Sequence, residues 1–106
     1  MQLELKVLET TLSSKEEAEK LAKTVVEQKL AACCHIIPIS SCYEWEGSIT
    51  FDNEVLLRMK TIDTRLPQLL SFLEENHPYE TPQLISYKAE HASKKYLSWV
   101  TSVLTP

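Results

Sequence analysis

An α+β fold is predicted by three features of the 106-residue sequence. Apolar residues alternate with polar ones along a short N-terminal segment and two long central ones. They return at i, i+3, i+4 and i+7 in two further segments, the spacing of an amphipathic helix. Taken in chain order, the segments read β-α-β-β-α-β-α. Residues 1–106 amount to a single domain, since separate domains need about 100–200 residues each. An apolar share of 43% and a charged share of 25% are those of a folded chain rather than a disordered one.

Residues 3–11 form the first predicted strand. Leu3, Leu5 and Val7 share one face, with Gln2, Glu4 and Lys6 on the other. Glu9 continues the apolar face and interrupts it with a carboxylate. Ser13 and Ser14 each precede a glutamate by three residues, Glu16 or Glu17, which is the spacing of a capping box. The helix they open carries Ala18, Leu21, Ala22 and Val25 on one stripe and runs to about Leu30. From Cys33 the period becomes two, with Ile37, Ile39, Tyr43 and Trp45 set against Glu44 and Glu46. Gly47-Ser48 supplies a turn. Ile49, Phe51, Val55, Leu57 and Met59 then oppose Thr50, Asp52, Glu54, Arg58 and Lys60. These segments pair as a long β2–β3 hairpin. Pro38 within it requires either a bulge or an unpaired edge position.

A second helix holds Leu66, Leu69, Leu70 and Leu73. It ends near Asn76, because the residue before Pro78 is disfavoured in helical geometry. His77-Pro78-Tyr79-Glu80-Thr81-Pro82 is a stiff loop, and Leu84 to Ala89 a fourth strand. Ser93 caps a last helix containing Tyr96, Leu97, Trp99, Val100 and Leu104. The first six elements are those of the ferredoxin-like split βαβ sandwich, with two helices on one sheet face and a C-terminal helix added.

The hairpin strands, roughly 13–14 residues each, reach about 45 Å at ~3.3 Å per residue. A compact domain of this length is only about 34 Å across. The hairpin therefore bends sharply or projects, and a projecting hairpin bares edge hydrogen-bond groups with Tyr43, Trp45, Ile49 and Phe51. Another copy of the chain is the simplest cover, so the sequence predicts a closed oligomer.

Composition excludes several classes. Eleven basic residues against fifteen acidic ones give a net charge of −4 and no basic patch, so nucleic acid is not an expected partner. No apolar run is long enough to span a membrane, and the N-terminus has no secretory signal pattern. One glycine, Gly47, cannot supply a dinucleotide fingerprint, a P-loop or a nucleophile elbow. Three cysteines without a CxxC pair fit a reduced, cytoplasmic protein better than a disulfide scaffold.

The residues with chemistry are few. His77, held among prolines, suits a ligand or a hydrogen-bond anchor. Glu9 is either a group facing an interface cleft or a strand end that has reached water. Cys33 and His35 stand at i, i+2 on one strand face, where they can pinch a metal ion or pair a thiol with a base. Cys34 and Cys42 share the opposite face. A buried packing role is the better fit for each cysteine taken alone, and no oxyanion-hole motif or third orienting group accompanies the Cys–His pair. The aromatic residues Tyr43, Trp45, Tyr79, Tyr87, Tyr96 and Trp99 suit a core or an interface. Lys60 is an anion contact or an edge guard.

Several separated motifs stand in a distinctive order: Glu27-Gln28-Lys29-Leu30-Ala31-Ala32-Cys33, Ile37-Pro38, Ser41-Cys42-Tyr43-Glu44-Trp45-Glu46-Gly47, Glu54-Val55-Leu56-Leu57-Arg58-Met59-Lys60-Thr61, His77-Pro78-Tyr79-Glu80-Thr81-Pro82 and Tyr96-Leu97-Ser98-Trp99. Together they resemble the CutA family of divalent-ion tolerance proteins along nearly the whole chain. The resemblance implies a PII-like homotrimer linked to copper and other divalent-metal tolerance, with no enzymatic activity. It further implies a copper site built from a first-strand cysteine and the histidine of the His-Pro-Tyr motif. That histidine is His77, and Glu9 stands where the cysteine would be. Asn76 stands where some members carry a second histidine, His35 where asparagine is common, and Gln83 where glutamate follows the second proline. A carboxylate in place of a thiolate disfavours Cu(I) and suits Cu(II) or another divalent cation. The ligand candidates are thus His77, Glu9, Cys33 and His35.

Overall fold

A computed structural model describes residues 3–105. Gln2, expected on the polar side of the first strand, lies outside them. The elements are β1 (Leu5–Leu12), α1 (Lys15–Glu27), β2 (Cys33–Trp45), β3 (Ser48–Ile62), α2 (Leu66–Asn76), β4 (Ile85–Lys88) and α3 (Lys94–Leu104). The four strands form one antiparallel sheet in the order β2-β3-β1-β4, as the split βαβ pattern requires.

Helix α1 starts on the expected box. The Ser14 hydroxyl accepts from the Glu17 amide at 3.1 Å, while the Glu17 carboxylate reaches back to the Ser13 amide at 3.2 Å. It stops at Glu27, short of the expected Leu30. Lys29 takes a left-handed conformation (φ 57°), and the amides of Lys29 and Leu30 return to the carbonyls of Val26 and Val25 at 3.1 and 2.9 Å. This is a Schellman stop, which normally announces itself by glycine. Lysine in that place hid it, and Leu30 stays in the core only because the stop folds it back onto Val25.

The hairpin turns at Glu46-Gly47, one residue earlier than expected. Both residues have positive φ, 50° and 81°, as a two-residue type I′ loop needs. Glu46 is a poor residue there, because a Cβ disfavours the left-handed region. Glu46→Asn should raise stability by about 0.5 kcal/mol without altering the fold, read as a higher denaturant midpoint at unchanged slope. Pairing runs unbroken from Trp45↔Ser48 to Cys33↔Lys60, with Pro38 opposite Val55, so there is no bulge. Proline is tolerated because β2 is an outer strand.

The sheet has two unlike faces. On one, Leu8 and Leu12 of β1, Val55, Leu57 and Met59 of β3, and Cys34 and Ile36 of β2 pack against Ala18, Leu21, Ala22 and Val25 of α1 and Leu69 and Leu73 of α2. On the other, only the foot of the sheet is covered: Leu5 and Ile62 pack with Ala32 against Val100 and Leu104 of α3. The apolar face expected for the first strand, Leu5-Val7-Glu9, is therefore the second face. Leu8 and Leu12 make the main core, and Glu9 does not interrupt it. Of the two outcomes its length allowed, bending or projecting, the hairpin projects, giving extents of 47 × 26 × 21 Å. Its end bares Trp45, Ile49 and Phe51, which are 61%, 67% and 76% exposed.

Candidate functional site

Register alone assembles the candidate residues on the partly covered face. Two rows cross all four strands: Cys33, Lys60, Val7, Tyr87, and next to it His35, Arg58, Glu9, Ile85. Glu9, Cys33 and His35 thus share one surface, and two partners not singled out as such join them. The Glu9 Oε2 atom accepts from Arg58 Nε at 2.7 Å and from the Tyr87 hydroxyl at 2.9 Å. The Arg58 hydrogen bond is the main reason that the Glu9 carboxyl sits below its usual pKa, and partial burial opposes it. Burial and then Glu9 raise the Tyr87 hydroxyl. Arg58 was legible as a polar-face residue of the hairpin. Its place opposite Glu9 needed the β1–β3 register, which no local pattern carries.

Between the rows, His35 Nε2 lies 3.8 Å from Cys33 Sγ, and Lys60 Nζ lies 3.2 Å from His35 Nδ1. An ammonium group only donates, so Nδ1 accepts and the hydrogen of the neutral ring is on Nε2, facing the sulfur. A metal ion on Nε2 would have to displace that hydrogen and the lysine contact with it. Cys34 points into the core, where burial pushes its thiol up to about 12. Cys42 is exposed near the hairpin end, and all three cysteines are free thiols.

His77 lies apart from this surface. It caps the C-terminus of α2, where its amide bonds the Leu73 carbonyl at 3.0 Å. Past the last paired residue of β4, its ring stands against β1: Nε2 is 2.9 Å from Thr10 Oγ1 and 3.0 Å from the Thr11 carbonyl, while Nδ1 accepts from the Tyr79 amide at 3.0 Å. Both ring nitrogens are engaged. Burial lowers the His77 pKa, and the Thr11 carbonyl opposes this. The Tyr79 ring leans on His77 at 4.9 Å, and its hydroxyl donates to Glu54 at 3.1 Å. Burial and Glu54 push that hydroxyl up to about 12. Tyr79 and Glu54, with Ser13, Asn53 and a Tyr43–Asp52 hydrogen-bonded pair, line a cleft of about 350 Å³.

Among the described residues, no three His, Cys, Asp or Glu side chains converge to hold a metal ion. The candidates occur instead as a Cys33–His35 pair, a Glu9 carboxylate committed to Arg58 and Tyr87, and an isolated His77. No helix among the described residues is long and apolar enough to cross a membrane.

Residues 6–103 match the family described as CutA1 divalent ion tolerance protein. The mouse Protein CutA is 42% identical over 94 residues, which are 88% of this chain and 53% of that protein. The divalent-cation tolerance protein CutA of Thermus thermophilus is 36% identical over 85% of this chain and 88% of its own length. The chain therefore spans about half the length of its mammalian relatives and most of the bacterial one. The structure of CutA from Synechococcus elongatus superimposes with a TM-score of 0.94 at 37% identity, over 98% of this chain and 96% of that one. Sequence along the whole folded unit and the course of its backbone thus agree, and the chain belongs to the CutA1 family of divalent ion tolerance proteins.

Proposed function

We propose that the chain works as a homotrimer that binds a divalent cation, Cu(II) or a similar ion, in tolerance to divalent metals. Relatives from Thermus thermophilus and Escherichia coli bear the name divalent-cation tolerance protein. The observation that carries the reading is that Cys33, His35 and Glu9 come in ones and twos on a face that the subunit's own helices leave largely uncovered, with His77 apart from it. Incomplete ligand sets on an unfinished surface are completed when copies assemble. The same face carries an apolar row, Ile37 beside Leu56, and the exposed hairpin end supplies further contact area. Both outer strands, β2 and β4, offer unpaired backbone to a neighbour. Cys33 and His35 are the first pair to be completed, with Glu9 and His77 as the harder oxygen and nitrogen candidates. Three free thiols support a reducing compartment, and we place the protein in the cytoplasm on that ground.

The test is Cu(II) titration of the purified protein, with mass read by light scattering in the same samples. Saturation at one ion per subunit in a trimer is expected. His35→Gln should weaken binding at least tenfold, and Lys60→Met should strengthen it by removing the ammonium that competes for the ring. Unsaturable binding, or an affinity indifferent to both changes, removes this pair from the site.

A second reading is a PII-like scaffold that takes a small ligand at clefts between copies. The Tyr43–Tyr79 cleft favours it, because its two carboxylates are each anchored by a tyrosine hydroxyl. A ligand there raises the melting temperature in metal-free buffer, since it binds only the folded state.

A further inference from the structure

A groove of about 500 Å³ opens between α1 and α2, on the helical side of the sheet and away from the largely uncovered face. Leu12 and Leu21, both buried, lie at its bottom, and half-buried Phe72 and exposed Pro78 add apolar wall. A space of this kind takes the apolar side chains along one face of a peptide. Charge decides which peptide. Glu17 and Lys20 both line the groove and offset each other. At the end where Asn76 and Pro78 stand, Glu74, Glu75 and Glu80 are not offset, because no lysine or arginine occurs between residues 66 and 82. The two ion pairs among the described residues, Glu9–Arg58 and Glu4–Lys88, lie elsewhere. Glu74 and Glu75 are exposed in the last turn of α2, at the negative end of its dipole, and that turn holds no basic residue. Glu16 and Glu17 in the first turn of α1 are the stabilising arrangement, and Glu74 and Glu75 are its reverse. The subunit gains nothing from them in folding. A cation seated over them from outside relieves both the repulsion between the carboxylates and their clash with the dipole.

We propose that the α1–α2 groove docks a basic amphipathic segment of a partner protein, with apolar side chains over Leu21 and Phe72 and a lysine or arginine against Glu74 and Glu75. A second copy of this chain is a poor occupant. The apolar stripes of α1, α2 and α3 are already buried in its own two clusters. Its exposed hairpin end is apolar, but Glu44, Glu46 and Asp52 flank it there, and their charge has the wrong sign for this groove. The surface is independent of metal and of the sheet face that assembly closes, so an oligomer can carry its cation and its partner at once.

The experiment uses the intact protein in its native oligomer and a fluorescent peptide of leucine and lysine, with leucines at i, i+3, i+4 and i+7. Two controls are the same composition with the stripe scrambled and a leucine–glutamate version with the stripe kept. Anisotropy at physiological salt should show saturable binding of the first peptide, at least tenfold tighter than either control. Methyl resonances of Leu12 and Leu21 should shift on binding, while those of Val100 and Leu104 stay in place. Glu74→Gln with Glu75→Gln should weaken binding at least fivefold while the melting temperature stays level or rises, an outcome that a structural role for these carboxylates does not give. Thr24→Trp, which fills the groove from α1, should weaken binding to the same degree at unchanged oligomeric mass. The peptide comparison and the glutamine pair need no change in the core. Equal binding of all three peptides overturns the proposal, as do shifts confined to Ile49 at the hairpin end, or a glutamine pair with unaltered affinity or a lowered melting temperature. Growth of the wild-type oligomer that Thr24→Trp abolishes would assign the groove to a second copy and overturn it equally.

Discussion

Leu57→Ala should lower the stability of the chain by about 3–4 kcal/mol, the largest single loss expected outside the turns. Leu57 is fully buried at the centre of β3, between Thr10 of β1 and Ile36 of β2, in the cluster that joins the sheet to α1 and α2. Truncation removes three carbons from contact with both layers, and the paired strands on either side prevent collapse into the space. A domain of this size has only about 5–15 kcal/mol in total, so the change takes a large share of it. It should appear as a lower urea midpoint at an unchanged slope. Ile49→Ala is the informative control. Ile49 is 67% exposed at the hairpin end, so within one subunit its truncation costs less than about 0.5 kcal/mol. A distinctly larger loss for Ile49→Ala would mean that a second copy covers the hairpin end.

The contrast between those two leucine-family residues shows what the sequence could and could not convey. Both stand on the same alternating stripe of β3, and periodicity cannot tell a residue under a helix from one beyond its reach. The element order, the Ser14 and Ser93 caps, the end of α2 before Pro78 and the hairpin's projection were all legible, because each rests on chemistry within a few residues or on simple length. The stop of α1 was not, because Lys29 adopts a conformation that glycine usually marks. Which face of β1 meets the main core was not legible either. Leu5 and Val7 fall on one face and Leu8 and Leu12 on the other, since helices lie on both sides of the sheet, and the charged Glu4 and Lys6 precede Leu8 on the core side.

The candidate site divides along the same line. That Cys33 and His35 face the same way follows from a separation of two along a strand. That Lys60 touches His35, or that Arg58 and Tyr87 hold Glu9, depends on registers fixed by distant segments. Glu9 was read as either facing an interface cleft or reaching solvent at a strand end. It stands mid-strand, not at a strand end, and is already paired within the subunit, which keeps its charge at neutral pH from being a cost.

His77→Ala should cost about 2–3 kcal/mol and open the loop that follows α2. The ring donates to the Thr11 carbonyl at 3.0 Å, accepts the Tyr79 amide at 3.0 Å and backs the Tyr79 ring. Alanine leaves a half-buried carbonyl and a half-buried amide without their partners, and the Tyr79–Glu54 contact loses its support. Faster hydrogen exchange at the Tyr79 amide, with the core of β3 unchanged, would locate the damage. The pH dependence has a definite sign. Burial lowers the folded-state pKa of His77 below the unfolded value near 6.5, so the unfolded chain binds the proton more readily. The contribution of His77 is therefore fully present above about pH 6.5 and is lost as pH falls through the lowered folded value. Glu9, whose pKa is also lowered, loses its contribution only in the more acidic range below that of ordinary carboxyls, so the two windows separate. In His77→Ala the slope of stability against pH just below 6.5 should flatten, while the acid limb governed by Glu9 persists. A wild-type slope retained in the variant would show that the ring is not held neutral by its burial. The same bond constrains any metal role: to ligate through Nε2, His77 must give up the hydrogen that satisfies Thr11. Cu(II) binding at this residue should therefore raise exchange at the Tyr79 amide, whereas binding at Cys33 and His35 should leave it unchanged.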